Sequence, residues 1–477
     1  MRFAALLLAL LALAPRAGAQ VAPERRPNVV LILADDLGYG DLGAYGQARI
    51  RTPNLDRMAR EGLRFTQFYA GGAVCVPSRA VLMTGKHTGH AALRINVTQP
   101  LPPEETTLAE HLRAAGYRTA CSGKWALGNS VASGSPRAQG FDTYFGFIDQ
   151  IQAHRHYPEF LLRDDERVAL DGNPSARTHY SHDLFTEEAL RFLEAARETP
   201  GRPFFLYLPY SLPHADLDVP ADALAPYRDL GWSETPYVER GGERLYSDQP
   251  TPRAAYAAMV ARIDRDVGRI LDRLRELELE RDTLVLFSSD NGPSSEGGGD
   301  PEFFDSNGPF RGEKGALYEG GLRVPLLARW PGRIAPGTSA QLAAAWDLFP
   351  TLAELAGTPA PADLDGISLV PTLLGRPEQR AHAYLYWEHS APGPFHSQAV
   401  RAGDLKALRL AVHARRPRVE LYDLAQDPGE TRDIAAERPA DVARLVALMD
   451  EAHVRDPRSP LTYRELNTAP GRGGRER

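Results

Sequence analysis

The chain has 477 residues, of which 43% are hydrophobic and 25% charged, and its formal net charge is −7. This is the composition of a globular protein large enough for two or three domains. It excludes collagen-like, coiled-coil and wholly disordered chains. The acidic balance argues against a nucleic-acid partner.

The first 19 residues have the pattern of a signal peptide. Arg2 provides a positive start, residues 3–14 are apolar throughout, and Ala17-Gly18-Ala19 matches a cleavage site. The apolar run is shorter than the roughly 20 residues that cross a membrane, and we find no longer run further on. We therefore expect an exported protein, periplasmic or secreted, without a membrane span.

Strands and helices alternate through most of the chain. Residues 28–34 are a continuous apolar run, as expected of a strand buried on both faces of a parallel sheet. This alternation predicts an α/β domain over residues 20–379, in which helices cover both faces of a large, mostly parallel sheet. The other predicted elements are helices over 55–61, 106–115, 183–198, 253–277 and 347–356, and strands over 117–122, 204–208, 284–287 and 326–330.

The pattern changes near residue 380. Short strand-like segments precede a helix over 440–452, which predicts a smaller antiparallel α+β subdomain over 380–470. Residues 471–477 are rich in Gly and Arg and are predicted to be a disordered tail. The predicted strands of this subdomain are 383–388, 398–401, 405–410 and 419–423.

Acidic and amide side chains follow two of the predicted strands. Asp35 and Asp36 end the first strand, and Asp290 and Asn291 end a later one. Ligands bind beyond the carboxyl ends of strands in an open parallel sheet. Oxygen donors of this kind favour Ca²⁺ or Mg²⁺ over Zn²⁺. A role in capping turns is the alternative for either pair alone, but the same pattern at two strand ends favours a metal site.

Cys75 begins a segment with the features of a helix N-terminus. Pro77 suits the first turn of a helix, and Arg79, one turn on, can face the same site as Cys75. Because helix N-termini favour negative charge, the segment predicts an activated nucleophile or an anion pocket. The alternative is a disulfide, since Cys75 and Cys121 are the two cysteines of an exported chain.

Lysine is rare in this sequence, which uses Arg for most of its 55 cationic residues. Lys124 follows a predicted strand within Gly123–Gly128, and Lys314 lies in a Gly-rich loop. A compact ammonium group rather than a planar guanidinium is expected where Lys is kept. His214 follows another strand, so all three are expected at the same edge of the sheet.

The segment Cys75-x-Pro77-Ser78-Arg79, followed by Leu82-x-Thr84-Gly85, resembles the signature of the type I sulfatases, which belong to the alkaline phosphatase superfamily. The resemblance extends over nearly the whole chain after the signal peptide and implies an alkaline phosphatase-like fold. Four further stretches agree with it, residues 27–41, 53–65, 288–292 and 310–325.

This resemblance implies the chemistry of the site. Cys75 is expected to be oxidised to formylglycine by a formylglycine-generating enzyme, which leaves Cys121 as a free thiol. Arg79, Lys124 and Lys314 are expected to hold the formylglycine and the sulfate, and His214, with Lys314, to be the general acid. The implied ligands of a divalent cation, usually Ca²⁺, are residue 75 together with Asp35, Asp36, Asp290 and Asn291.

One position departs from the family pattern. Many sulfatases have a histidine where this chain has Ala126, and that histidine is thought to act as a base. His154 and His156 are the nearest candidates in sequence to replace it, the alternatives being substrate binding or packing. His87 and Arg94 are expected at the mouth of the substrate pocket.

The resemblance implies hydrolysis of a sulfated carbohydrate or a small aryl sulfate. The alternatives are a phosphodiesterase or phosphonate monoester hydrolase of the same superfamily, and an inactive relative that binds sulfated glycans. Three segments are expected to shape the pocket for the alcohol part of the substrate, residues 219–252, 293–309 and 387–389.

Overall fold

The computed structural model describes residues 26–97, 99–128, 134–240, 246–390 and 396–468. The predicted signal peptide and the predicted tail lie outside the described residues. The strands are β1 (Asn28–Ala34), β2 (Leu63–Phe65), β3 (Phe68–Tyr69), β4 (Arg118–Lys124), β5 (Thr143–Phe147), β6 (Phe160–Arg163), β7 (Glu166–Ala169), β8 (Phe204–Pro209), β9 (Thr283–Ser289), β10 (Leu326–Arg329), β11 (Gly337–Ser339), β12 (Ala343–Ala344), β13 (Leu385–His389), β14 (Ser397–Ala402), β15 (Leu405–Leu410) and β16 (Arg418–Asp423). The α-helices are α1 (Pro53–Glu61), α2 (Cys75–Thr84), α3 (Leu108–Ala114), α4 (Asn173–Ala176), α5 (Ser181–Arg197), α6 (Ala221–Arg228), α7 (Pro252–Glu276), α8 (Pro301–Phe304), α9 (Glu319–Leu322), α10 (Leu348–Leu355), α11 (Val370–Leu373), α12 (Pro439–Ala452) and α13 (Tyr463–Thr468).

A ten-stranded mixed sheet forms the larger part of the fold, with the strand order β11-β2-β10-β9-β1-β8-β4-β5-β6-β7. Its centre, from β9 to β5, is parallel, and antiparallel pairs flank it on both sides. The prediction of a large, mostly parallel sheet is confirmed. The strands β9, β1, β8 and β4 are neighbours, so their carboxyl ends share one edge.

Helices cover both faces of this sheet, as predicted. Successive side chains of a strand point to opposite faces, and in β1 Val30 and Ile32 pack into one core with residues of α5 and α7. Val29 and Leu31 pack into a second core, to which α2, α3 and α10 contribute. This burial on both faces explains why β1 is apolar throughout rather than alternating.

Several elements at the sides of the sheet were not predicted from the sequence. β2 has three residues and β11 another three, which is too short for a periodic signal. β5 contains Gly146, a residue with low strand propensity, and β7 is mostly exposed. Residues 219–252 also contain the unpredicted helix α6.

A four-stranded antiparallel sheet with the order β13-β14-β15-β16 forms the C-terminal part, as predicted. Leu445 and Met449 of α12 pack against one face of this sheet. The other face joins a core shared with the larger part, where Trp346 and Trp387 lie with ring centroids 5.5 Å apart. Among the described residues, none of the helices is both long and apolar enough to cross a membrane. The boundary at residues 379 and 380 remains a prediction.

Candidate active site

Two neighbouring strand ends bring the predicted oxygen ligands together. The parallel register of β1 and β9 pairs Ala34 with Ser289, so the residues that follow each strand are adjacent. Asp36 N donates to Asp290 Oδ1 at 3.1 Å. Asn291 Nδ2 donates to Asp36 Oδ1 at 2.7 Å. Asp35 lies beside them, and all four side chains are buried.

Helix α2 begins at Cys75 and delivers this side chain to the same place. The ligand atoms of Cys75, Asp35, Asp36 and His214 all lie within 4.8 Å of one another. Burial raises the pKa of the Cys75 thiol far above its ordinary value, although the nearby lysines oppose the shift. The thiol is therefore neutral and is not itself an activated nucleophile.

The alternative of a disulfide between Cys75 and Cys121 is wrong, because both residues are free thiols. Cys121 lies on β4 and packs in the apolar core on one face of the large sheet. Its burial raises the pKa of the thiol well above the ordinary value. Cys121 is an inert packing residue, as the sulfatase resemblance implied.

Buried cations surround the carboxylates. Arg79 Nε and Nη2 lie 3.0 and 2.8 Å from Asp290 Oδ2, and Arg79 Nη1 donates to the Lys124 carbonyl at 2.8 Å. Lys124 Nζ donates to Asp35 Oδ2 at 2.6 Å. The side chains of Arg79 and Lys124 have no exposed surface. These groups fix positive charge at the base of the pocket, where an anion would bind.

His214 and Lys314 are hydrogen-bonded to each other, and His214 lies close to Cys75. His214 Nδ1 donates to the Ala215 carbonyl, so His214 Nε2 carries a lone pair and accepts from Lys314 Nζ at 3.0 Å. Burial and Lys314 hold the pKa of His214 well below its ordinary value. Lys314 Nζ also donates to Asp36 Oδ2 at 2.9 Å, which keeps the ammonium group charged.

His154 contacts the ring of His214, whereas His156 contacts the backbone of His214. The His154 ring stacks on His214, with centroids 4.7 Å apart and planes at 12°. Burial, Lys124 and Lys314 lower the pKa of His154 to about 4, so the ring is neutral. His156 Nε2 donates to the His214 carbonyl at 3.0 Å and is buried. His156 therefore positions the His214 backbone and does not face the pocket.

The donor set fits a divalent cation. Asp35 Oδ1 and Asn291 Oδ1 are buried and accept no hydrogen bond in the described structure. Burial and the neighbouring carboxylates raise the pKa of Asp290 to about 7 and that of Asp36 to about 6. A bound cation would relieve this crowding of negative charge. Carboxylate and amide oxygens are the donors that Ca²⁺ and Mg²⁺ prefer.

Other predicted site residues lie elsewhere. His87 follows the far end of α2 and stacks on His90, and a ten-residue helix places it about 15 Å along the axis from Cys75. Arg94 Nη1 binds Glu388 Oε1 at 3.0 Å, and both side chains are buried. Helix α2 thus carries His87 away from Cys75, and Arg94 is held by the carboxylate of Glu388. Residues 387–389 lie on β13 and are buried, so their expected role in shaping the pocket stays a prediction.

Ala126, at the position where many sulfatases have a histidine, packs in the apolar core and is 3% exposed.

Two residues at the site were not predicted from the sequence. Asn96 Oδ1 accepts from Val76 N at 3.0 Å, beside Cys75, and no sequence pattern connects these distant positions. Glu296 Oε2 accepts from Lys314 Nζ at 2.7 Å, and the expectation that residues 293–309 shape the pocket pointed to this segment.

The site combines oxygen ligands for a divalent cation with residue 75 at a helix N-terminus and with buried cations. On an alkaline phosphatase-like fold, this combination indicates a hydrolase of anionic esters. Comparison with known proteins gives the family. A family model described as "Sulfatase" matches residues 27–358, and one described as "N-sulphoglucosamine sulphohydrolase, C-terminal" matches residues 310–453. The chain belongs to the sulfatase family.

Relatives support the same assignment. The chain is 36% identical to arylsulfatase A of Homo sapiens, covering 89% of this chain and 86% of the relative. It is 32% identical to N-acetylgalactosamine-6-sulfatase of Homo sapiens, covering 91% and 87%. A crystal structure of Ps i-CgsB in complex with k-i-k-neocarrahexaose superposes with a TM-score of 0.75 at 27% identity, covering 90% of this chain and 94% of that one. The protein is a sulfatase.

Proposed function

We propose that this sulfatase removes sulfate from a sulfated carbohydrate, with small aryl sulfates as alternative substrates. The observation that carries the proposal is the convergence of Cys75 with Asp35, Asp36 and His214 within 4.8 Å. The similarity to a structure that holds k-i-k-neocarrahexaose supports a carbohydrate substrate. The predicted signal peptide supports a periplasmic or secreted location.

Residue 75 must be modified for this reaction. A buried thiol with a raised pKa is a poor nucleophile, whereas formylglycine hydrate supplies a hydroxyl group that can attack sulfur. A formylglycine-generating enzyme would make this group from Cys75. Asp35, Asp36, Asp290 and Asn291 would hold Ca²⁺, with Mg²⁺ as the alternative, and the cation would polarise sulfate oxygens and stabilise the alkoxide of the nucleophile.

The side chains around residue 75 would bind the sulfate group and protonate the leaving alcohol. Lys124 and Lys314 place ammonium groups beside it, where they neutralise the sulfate, and Arg79 completes the positive base of the pocket. Lys314 and His214 share a hydrogen bond at 3.0 Å. When the bond from sulfur to the alcohol oxygen breaks, this pair delivers the proton that the leaving oxygen needs.

Mass and activity measurements test the proposal. The protein, co-expressed with a formylglycine-generating enzyme, is expected to show the mass loss of a thiol-to-aldehyde exchange in the peptide that contains residue 75. Cys75→Ala is expected to lower kcat for aryl sulfates by at least about 10³-fold, and Cys121→Ala is the matched control that retains activity. An unmodified Cys75 in an active enzyme would refute the formylglycine step, and faster turnover of matched phosphate esters would favour a phosphohydrolase.

A further inference from the structure

Glu296 is a carboxylate at the open side of the sulfate pocket. Its Oε2 accepts from Lys314 Nζ at 2.7 Å and from Tyr246 OH at 3.1 Å, and lies 3.8 Å from His214 Nε2. The Glu296 side chain is 44% exposed, whereas those of Asp36 and His214 are each 1% exposed. Glu296 therefore lies at the boundary between the buried base of the site and solvent.

The loop that carries Glu296 is built to approach the site closely. Gly297 and Gly298 have φ of 62° and 94°, a region that side chains other than glycine rarely adopt. A Cβ at Gly297 would lie 2.7 Å from Ala215 Cβ, and one at Gly298 would lie 2.7 Å from Tyr237 Cβ. The glycines let the loop lie directly against the segment that follows His214, which fixes where the carboxylate can be.

This position faces the alcohol part of a bound ester. The base of the pocket, formed by Cys75, Arg79 and Lys124, is fully buried, so the alcohol extends toward the exposed side of the site, where Glu296 lies. Although burial opposes the charge, Lys314 holds the pKa of Glu296 below its ordinary value, so Glu296 is an anion at neutral pH. Among the described residues, no hydrogen bond is made to Glu296 Oε1.

We propose that Glu296 selects the alcohol part of the substrate by charge. Its carboxylate accepts a hydrogen bond from a hydroxyl group next to the cleaved sulfate and repels a second anion at that place. The favoured substrates are then sugar units in which the sulfate is bordered by free hydroxyl groups. Units with an adjacent second sulfate or a carboxylate are disfavoured. This inference rests on the proposed function and deepens it.

Three matched aryl sulfates test the proposal. Phenyl sulfate has no neighbouring group, 2-hydroxyphenyl sulfate has a hydroxyl group beside the ester, and 2-carboxyphenyl sulfate has an anion there. The values of kcat/KM are measured for wild type and Glu296→Gln, and each is divided by the value for phenyl sulfate, which cancels changes at Lys314 that affect all substrates alike. Glu302→Gln is the control, because Glu302 is an exposed glutamate on the nearby helix α8.

Glu296→Gln is expected to raise the relative kcat/KM for the carboxylate-bearing ester roughly tenfold and to lower that for the hydroxyl-bearing ester. Glu296→Asp retains the charge and is expected to keep the wild-type preference, which guards against an effect of misfolding. If Glu296→Gln hydrolyses phenyl sulfate and its relative kcat/KM values for the other two esters equal those of the wild type, the selective role of Glu296 is overturned. The proposed sulfatase function is then unaffected. Failure of the formylglycine-bearing wild type to release sulfate from the three esters and from a panel of sulfated sugars would overturn the proposed function and this inference with it.

Discussion

The residue at position 75 shows why this site depends on a modified side chain. Its thiol is buried beside Asp35 and Asp36, and its pKa is raised even though Lys124 and Lys314 are close. The same positive charges that fail to ionise a thiol are well placed to hold a sulfate group. The local environment therefore favours binding of an anion over formation of one at Cys75.

Many sulfatases have a histidine at the position of Ala126, where it is thought to act as a base. We expect His154 to act as the base in this protein. It is neutral and stacked on His214, so it can accept a proton. We expect His154→Ala to lower kcat by roughly 10²-fold or more, because the loss of a general base has this size. Stopped-flow measurements with an aryl sulfate are expected to show a burst of alcohol release followed by slow turnover.

The exposed His179 offers a matched control for this variant. His179→Ala is expected to keep the wild-type kcat and to show no burst. The same kinetics in His154→Ala as in the wild type would show that His154 is not the base and that its stack with His214 is a packing contact.

At the scale of secondary structure, the strand ends were predictable and the contacts between distant segments were not. An apolar strand followed by two polar residues is a local pattern, so Asp35, Asp36, Asp290 and Asn291 could be found from the sequence. Asn96 and Glu296 have no such signal, because each reaches the site through a loop whose path depends on packing. His87 was placed at the site because it follows Cys75 closely along the chain, but helix α2 carries it away from Cys75.

The N-terminus of α2 depends on a side chain from outside the helix. Its N-cap residue, Val74, provides no side-chain hydrogen bond, whereas Asn96 Oδ1 accepts from Val76 N. We expect Asn96→Ala to lower the free energy of unfolding by about 1 kcal/mol, the usual contribution of a cap, and to lower kcat because residue 75 loses its fixed position. Asn96→Asp keeps the acceptor and is expected to restore kcat; equal kcat in Asn96→Ala and wild type would exclude a positioning role.

The proposed cation ligands follow β1 and β9. We therefore predict that the thermal stability of the protein depends on a divalent cation. Binding to the folded state alone stabilises it by about 2.7 kcal/mol when the free cation is at 100 times its Kd. We expect Ca²⁺ to raise the Tm of the wild type and a chelator to lower it, as measured by scanning calorimetry. Asp35→Asn is expected to lose most of this response, whereas Asp171→Asn, an exposed control, retains it. An unchanged Tm in the presence of the chelator would contradict a cation site at these strand ends.

Across the whole molecule, a buried polar network joins the C-terminal sheet to the segment that follows α2. Arg94 Nη1 donates to Glu388 Oε1 at 3.0 Å and to the Val454 carbonyl at 2.7 Å. His453 Nδ1 lies 2.7 Å from Glu388 Oε2, and its Nε2 lies 3.0 Å from Glu465 Oε1. Two carboxylates of the C-terminal part thus hold the His453 imidazole, and one of them, Glu388, also binds Arg94 from the larger part.

This arrangement predicts that His453 stabilises the fold in a pH-dependent way. Burial opposes its charge, but hydrogen bonds to Glu388 and Glu465 raise the pKa of His453 above its ordinary value. A raised pKa in the folded state gives a stabilisation that is complete below the unfolded-state pKa of about 6.5 and is lost as the pH rises through the folded-state value. At pH 6, His453→Gln is therefore expected to reduce the free energy of unfolding by about 2 kcal/mol.

Urea unfolding of the wild type, His453→Gln and the exposed control His179→Gln at pH 6 and pH 9 would measure this contribution. The difference between wild type and His453→Gln is expected to shrink at the higher pH, because the imidazole loses its proton as the pH rises through the raised folded-state pKa. The control is expected to match the wild type at both values. A difference for His453→Gln that stays constant between pH 6 and pH 9 would assign the stabilisation to packing of the ring and would exclude an ionic contribution from His453.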